Sequence, residues 1–212
     1  MLRGIDVSHY QGKVDWKAAA AAGVAFGFTK CSEGVSADTA FFTNRSQAAA
    51  ACVPLGFYHY FHFASQDWGD QAHTFCKLVG ALKPGELPPV LDLEDRPGMV
   101  HVGKEAGVRK ALAWLETIKG KLGVTPIVYA DPDFISTYLS DPKFAQYPLW
   151  YAKYDIANVT ANTTPPRPRL GPWQACTFWQ SSEHGKEQGV SGPVDIDWFI
   201  GDKAALQSIL VR

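Results

Sequence analysis

Leu87-Pro88-Pro89-Val90-Leu91-Asp92-Leu93-Glu94 reads as a short buried strand ending in two carboxylates at positions i and i+2. Side chains alternate between the faces of a strand, so Asp92 and Glu94 point the same way. Two like charges held together push their pKa values apart, so one carboxyl keeps a proton near neutral pH while the other stays ionised. An acid beside a carboxylate is what cleavage of a glycosidic bond requires. Taken alone, an Asp-x-Glu is more often a solvated acidic loop, because perturbed carboxylates also occur in structural networks. The rest of the chain decides between the two readings.

Short apolar runs alternate with helical patterns on either side of this segment. Residues 3–7, 25–30 and 54–60 read as strands before it, and 126–129 as a strand after it. Asp15 caps a first helix through Ala22, and Ser36 or Asp38 caps a second ending near Ala51. Ser65 caps a long third helix with a stripe of Trp68, Ala72, Phe75, Val79 and Leu82. Val108, Leu112, Leu115, Ile118 and Leu122 mark a fourth, and Asp131-Pro132 starts a fifth that ends near Leu139. Beyond it the pattern changes. Residues 149–152, 177–180 and 194–200 read as strands joined by loops, and a short helix follows Asp202. Residues 154–176 carry Pro165, Pro166, Pro168 and Pro172 and no helical stripe. Repeated βα units imply a parallel sheet with right-handed crossovers. The expectation is an α/β fold: an irregular β/α barrel of five βα units followed by three strands, in one domain over residues 1–212 with no linker or second module.

In β/α barrels the chemistry sits at the C-terminal strand ends. Here those ends carry Asp6, then Lys30 with Glu33, Tyr58 with His59, Asp92 with Glu94, Tyr129, Trp150, and Trp179 with Gln180. The last strand carries Asp195 and Asp197. Each residue has a plainer reading. Asp6 can cap a turn; Tyr58, Trp150 and Trp179 can be core aromatics; Lys30 and Glu33 can be a surface ion pair of small worth. Their convergence on one end of one barrel favours a site. His59-x-x-His62 has metal-ligand spacing but no third ligand beside it, so no metal or other cofactor is expected.

The balance of charge excludes other classes. Lys and Arg number 20 against 21 Asp and Glu, with no long basic run, which argues against a nucleic-acid or anionic-membrane partner. No stretch of about 20 apolar residues exists to span a membrane. Fold-like sequence starts at Arg3, so no signal peptide is expected. Cys31, Cys52, Cys76 and Cys176 are scattered and read as buried reduced thiols.

Gly4-Ile5-Asp6-Val7-Ser8-His9-Tyr10-Gln11-Gly12 followed by Val14-Asp15-Trp16 resembles the opening signature of glycoside hydrolase family 25, the CH-type muramidases. Phe28-Thr29-Lys30-Cys31-Ser32-Glu33-Gly34, Gly56-Phe57-Tyr58-His59-Tyr60 and Pro89-Val90-Leu91-Asp92-Leu93-Glu94 resemble its next blocks. Leu149-Trp150-Tyr151-Ala152, Trp179-Gln180-Ser181 and Gly192-Pro193-Val194-Asp195-Ile196-Asp197 complete the set in order. The resemblance implies a flattened, irregular β/α barrel that cleaves the β-1,4 bond between N-acetylmuramic acid and N-acetylglucosamine in peptidoglycan. It implies Glu94 as general acid, Asp92 as its partner, and Asp6 and Asp195 as further carboxylates at the base of the site. Lys30, Glu33, Tyr58, Tyr129, Trp150, Trp179 and Gln180 are expected to bind the glycan. Asp92 either assists the substrate's own N-acetyl group, retaining configuration, or Asp92 or Asp6 activates water and inverts it. Cys31, where small residues are usual, and the Glu94-Asp95-Arg96-Pro97 exit depart from the pattern without touching the carboxylates. A monomer acting on the bacterial cell wall, endolysin-like and without a separate wall-binding module, is the expectation. An inactive glycan-binding domain and a metal-dependent hydrolase using Asp6, His9, Asp92 and Asp195 are the alternatives.

Overall fold

The computed structural model describes residues 1–167 and 171–212; Pro168, one of the four prolines noted in the sequence, lies outside the described residues. Nine strands form one sheet: β1 (Leu2–Val7), β2 (Phe26–Glu33), β3 (Ser36–Ala37), β4 (Leu55–Tyr60), β5 (Val90–Asp92), β6 (Ile127–Ala130), β7 (Leu149–Ala152), β8 (Phe178–Gly185) and β9 (Val194–Phe199). Their order is β1-β9-β8-β7-β6-β5-β4-β2-β3, and β1 also pairs with β2, which closes eight strands into a barrel. The two-residue β3 is an arm folded back antiparallel on β2. Pairing is parallel from β1 through β2 and β4 to β8, whereas β9 runs antiparallel to both its neighbours. A two-stranded return needs only a turn, whereas a parallel crossover needs a helix-sized connection. That is why β8 and β9 need no helix between them.

Seven α-helices are described: α1 (Trp16–Ala21), α2 (Phe41–Ala50), α3 (Trp68–Val79), α4 (Arg96–Val102), α5 (Lys104–Leu122), α6 (Pro132–Tyr138) and α7 (Lys203–Ser208). Asp15, Asp131 and Asp202 cap their helices through side-chain oxygens, as the sequence predicts. Two caps differ from expectation. Asp67, not Ser65, caps α3 by accepting from Gly69 N at 2.7 Å. Ser36 belongs to the β3 arm, and Asp38 accepts from Ala40 N just ahead of α2. The short α4, capped by Asp95, has no counterpart among the expected elements.

Strand alternation sorts the apolar residues into two cores. Phe26, Phe28, Val90, Ile127, Trp150, Phe178 and Phe199 fill the barrel interior. Ile5, Phe57, Leu91, Leu93, Val128, Leu149 and Trp179 point outward and pack with Trp16, Phe75, Trp114 and Phe134 from the helices. A Cβ on Gly4 would stand 2.4 Å from the Phe26 ring, so small and large residues face each other across the interior. Among the described residues no helix is long and apolar enough to cross a membrane. The four cysteines are unpaired; Cys31 and Cys176 are buried and Cys76 half-buried, but Cys52 is exposed, against expectation. It follows α2 in a left-handed conformation (φ 55°), in a surface turn rather than on a core face.

His59 points into the outer core. It stacks on Trp114 at 5.3 Å and contacts Ser32 Oγ at 2.8 Å and Gln71 Oε1 at 3.1 Å. Burial pushes its pKa down to about 3. The unfolded chain takes up that proton below about pH 6.5, so the stability due to neutral His59 is lost as pH falls from there towards 3. The expected cost is about 3 kcal/mol by pH 4.5, taking about 1.4 kcal/mol per unit. Thermal melts of wild type and His59→Gln at pH 7 and 4.5 check it: the variant loses less stability on acidification.

Candidate active site

Eight side chains line a pit of about 80 Å³ at the C-terminal end of the parallel strands: Asp6, Tyr58, Asp92, Glu94, Tyr129, Trp150, Gln180 and Asp195. That room suits two or three waters or one small substituent, not a sugar ring. Asp92 and Glu94 continue the inward phase of Val90, while Leu91 and Leu93 face the helices. Leu93 N still bonds Tyr129 O at 3.0 Å, which carries the extended conformation past the end of β5 and places both carboxyls at the pit. Asp195 arrives from the other direction. Because β9 is antiparallel, its first residues lie at the same barrel end, and Asp195 pairs with Asp6 across the ladder.

Three residues expected at the site stand elsewhere. Trp179 is fully buried on the outer face of β8, with its indole N–H donating to Lys153 O at 2.8 Å. Its neighbours Phe178 and Gln180 face inward, so Trp179 cannot. Lys30 and Glu33 line a separate hollow of about 280 Å³ with His9, Asp38, His62 and Gln66. A register shift in β2 between Lys30 and Ser32, a bulge at Cys31, breaks the alternation there. Lys30 is nevertheless electrically part of the site. It is buried rather than on the surface, pairs with Glu33 at 2.6 Å, lies 5.0 Å from the Tyr60 ring centre, and opposes the upward pKa shifts of both Asp92 and Glu94.

Burial raises the Asp92 pKa well above the carboxylate range, and the charge of Glu94 adds to it. Asp92 Oδ1 is buried with no hydrogen-bond partner among the described residues. Glu94 lines the mouth of the pit and is exposed to solvent, with protein on its other sides. That enclosure raises its pKa; Asp131, Asp195 and Glu33 add to the rise and Lys30 opposes it. Burial also raises Asp6, helped by Asp195 and Asp197, and takes Asp195 to about 6. Gln180 ties the walls together: its Nε2 donates to Asp6 Oδ2 at 2.7 Å, and its Oε1 accepts from Tyr129 at 2.8 Å and from Tyr154.

Sequence reasoning missed Tyr154, Asp131 and the role of Asp197. Tyr154 lies in a loop and gave no signal. Asp131, read only as a helix cap, also holds Arg96 through two contacts of 2.7 and 2.8 Å. Asp197 carried the same i, i+2 signal from Asp195 that singled out Asp92 and Glu94. His9 is turned away to Asp38, at 2.6 Å. Among the described residues no group of three or more His, Cys, Asp or Glu side chains is placed to hold a metal ion.

The model of the family described as "Glycosyl hydrolases family 25" matches residues 5–190. Among curated relatives, the uncharacterized protein YegX of Escherichia coli K12 is 32% identical, the match covering 99% of this chain and 73% of YegX. Lysozyme M1 of Streptomyces globisporus is 29% identical over 98% of this chain and 71% of its own length. The crystal structure of a bacterial lysozyme from Streptomyces coelicolor superposes with a TM-score of 0.87 at 28% identity, covering 99% of this chain and 96% of that one. A family 25 glycosyl hydrolase from Bacillus anthracis gives 0.85 at 27% identity, over 100% and 94%. With the family match spanning most of the chain and the same barrel in those solved structures, this chain belongs to glycosyl hydrolase family 25.

Proposed function

We propose that this protein is a muramidase, hydrolysing the β-1,4 bond between N-acetylmuramic acid and N-acetylglucosamine in peptidoglycan, and that it acts on the bacterial cell wall as a monomer. Family membership supports peptidoglycan hydrolysis. The observation that carries the bond chemistry is the pairing of Glu94 at the mouth with buried Asp92, whose Oδ1 has no partner among the described residues, above a pit sized for one small substituent.

Glu94 is the general acid. It protonates the departing glycosidic oxygen as the bond to the anomeric carbon breaks, help worth about 10²- to 10⁴-fold. The carbonyl oxygen of the substrate's N-acetyl group attacks that carbon from the opposite face. Asp92 Oδ1 accepts the N–H of the same group and stabilises the positive charge that develops there. The two carboxyls titrate as a pair. Before substrate binds, burial draws the pair's proton to Asp92; the N–H donor favours the Asp92 anion and leaves the proton on Glu94. Water, deprotonated by the Glu94 carboxylate, then opens the cyclic intermediate, and configuration is retained. Tyr58, Tyr129 and Trp150 wall the pit and give it an apolar lining that fits the N-acetyl group.

Digestion of purified peptidoglycan tests the reading. The fragments are reduced with borohydride and their ends identified by mass spectrometry. Reduced muramic acid at the new ends is expected. Reduced glucosamine ends, or wall binding without any new ends, overturn it.

A further inference from the structure

Asp197 lies on β9 with its side chain inside the barrel, and none of it reaches solvent. Its Oδ1 accepts the indole N–H of Trp150 at 2.9 Å. Its Oδ2 has no hydrogen-bond partner among the described residues. The carboxyl of Asp6 faces it instead, buried on the same inner side of the neighbouring strand β1 and diagonal to Asp197 in the ladder, where Gly4 pairs with Asp197 and Asp6 with Asp195. Gln180 already satisfies one Asp6 oxygen. Two ionised carboxylates in contact, with no water to screen them, repel strongly; one proton between them turns that repulsion into a short, charge-assisted O–H···O bond. Asp195 also touches Asp6, but Asp195 is half-buried and can be hydrated, whereas Asp197 cannot.

We infer that Asp197 is a positioning residue: it shares one proton with Asp6, and this buried acid pair sets the orientation of Trp150 and Gln180 in the pit wall. The consequence runs through two side chains. Trp150 is held by its N–H to Asp197 while its ring stacks on Phe28 at 4.3 Å and meets the edge of Tyr129 at 4.8 Å. Gln180 is held by Asp6 and in turn fixes the hydroxyls of Tyr129 and Tyr154. A full charge on both acids would drive them apart and release both walls. The direction of the pKa shifts, upward for Asp6 and Asp197 alike, agrees with a retained proton.

The inference rests on the muramidase reading for its kinetic readout only, so a spectroscopic readout accompanies it. Infrared spectra at neutral pH, in water and deuterium oxide, report protonated carboxyl groups. Wild type is expected to show a carboxylic-acid carbonyl band that disappears in Asp197→Asn and survives Asp92→Asn. The Asn side chain can accept from Trp150 and donate to an ionised Asp6, so Asp197→Asn is expected to keep kcat within about threefold of wild type. Asp197→Leu cannot do either, and its kcat is expected to fall about 100-fold with KM little changed, as for a site displaced by a fraction of an ångström. Equal losses in the Asn and Leu variants overturn the positioning role, because they require the charge of Asp197 itself. A wild-type spectrum with no band that responds to Asp197→Asn overturns the shared proton. If Asp197→Leu does not fold, Asp197→Asn and the infrared comparison still decide. If wild type proves inactive on peptidoglycan, the band and the near-ultraviolet dichroism of Trp150 decide the pair independently of that failure.

Discussion

Glu94→Gln is expected to lower kcat on peptidoglycan by about 10²- to 10⁴-fold, with KM within a few-fold of wild type. Gln keeps the length and shape of the side chain and cannot deliver a proton to the leaving oxygen. The loss therefore falls on a step made only in the transition state, which lowers kcat rather than binding. A pH series adds a second criterion. Enclosure at the mouth and the surrounding carboxylates raise the Glu94 pKa. An acid must be protonated to act, so wild-type activity persists above the ordinary carboxylate range and falls as pH rises through that raised value. In Glu94→Gln this alkaline limb is expected to vanish from the residual activity. Full activity in the variant would leave the family in place and remove Glu94 from the acid's role.

Asp92→Asn is expected to lower kcat by about 10²- to 10³-fold, the usual range for losing one fixed group that stabilises developing charge. The amide retains an oxygen able to accept the N-acetyl N–H but not the negative charge that balances the cyclic intermediate. Asp92 is buried, so no solvent replaces that charge. Stereochemistry tests the same assignment by another route. Proton magnetic resonance of the first product formed by wild type is expected to show the β anomer, as retention requires. An α anomer at early times would replace the substrate-assisted route with water activated by a carboxylate. Wild-type kcat in Asp92→Asn would remove Asp92 from the mechanism altogether.

Much of the barrel is legible from local rules. Alternation along a strand places Asp92 and Glu94 on one face before any partner strand is known. Asp15, Asp131 and Asp202 are recognisable as caps because a side-chain oxygen needs only the two or three backbone N–H groups that follow it. The same rule misleads where two candidates compete. Asp67 displaces Ser65, and the Asp95 cap hides behind a Pro-Gly pair. At the site, Trp179 and Gln180 are adjacent on β8 and cannot share a face, so alternation already argued against pairing them in the pit. Aromatic character alone does not tell a glycan platform from a helix-facing core residue. Lys30 was expected at the site from its strand-end position; the bulge at Cys31 turns it to Glu33 beside a separate hollow, yet the barrel buries it, so its charge still bears on Asp92 and Glu94.

By itself the sequence determined the succession of βα units, the inward phase of Asp6, Asp92, Glu94 and Gln180, and the family to which the blocks belong. These follow from interactions that span a few residues. Only the tertiary structure decided which carboxyls meet. Asp6 and Asp197 lie at opposite ends of the chain and come together because β9 reverses direction and closes the barrel against β1. No local preference records that closure. It arises from the collective burial of the interior aromatics, and with it come the depth of the pit, the orphaned oxygen of Asp92 and the raised pKa values on which the proposed chemistry rests.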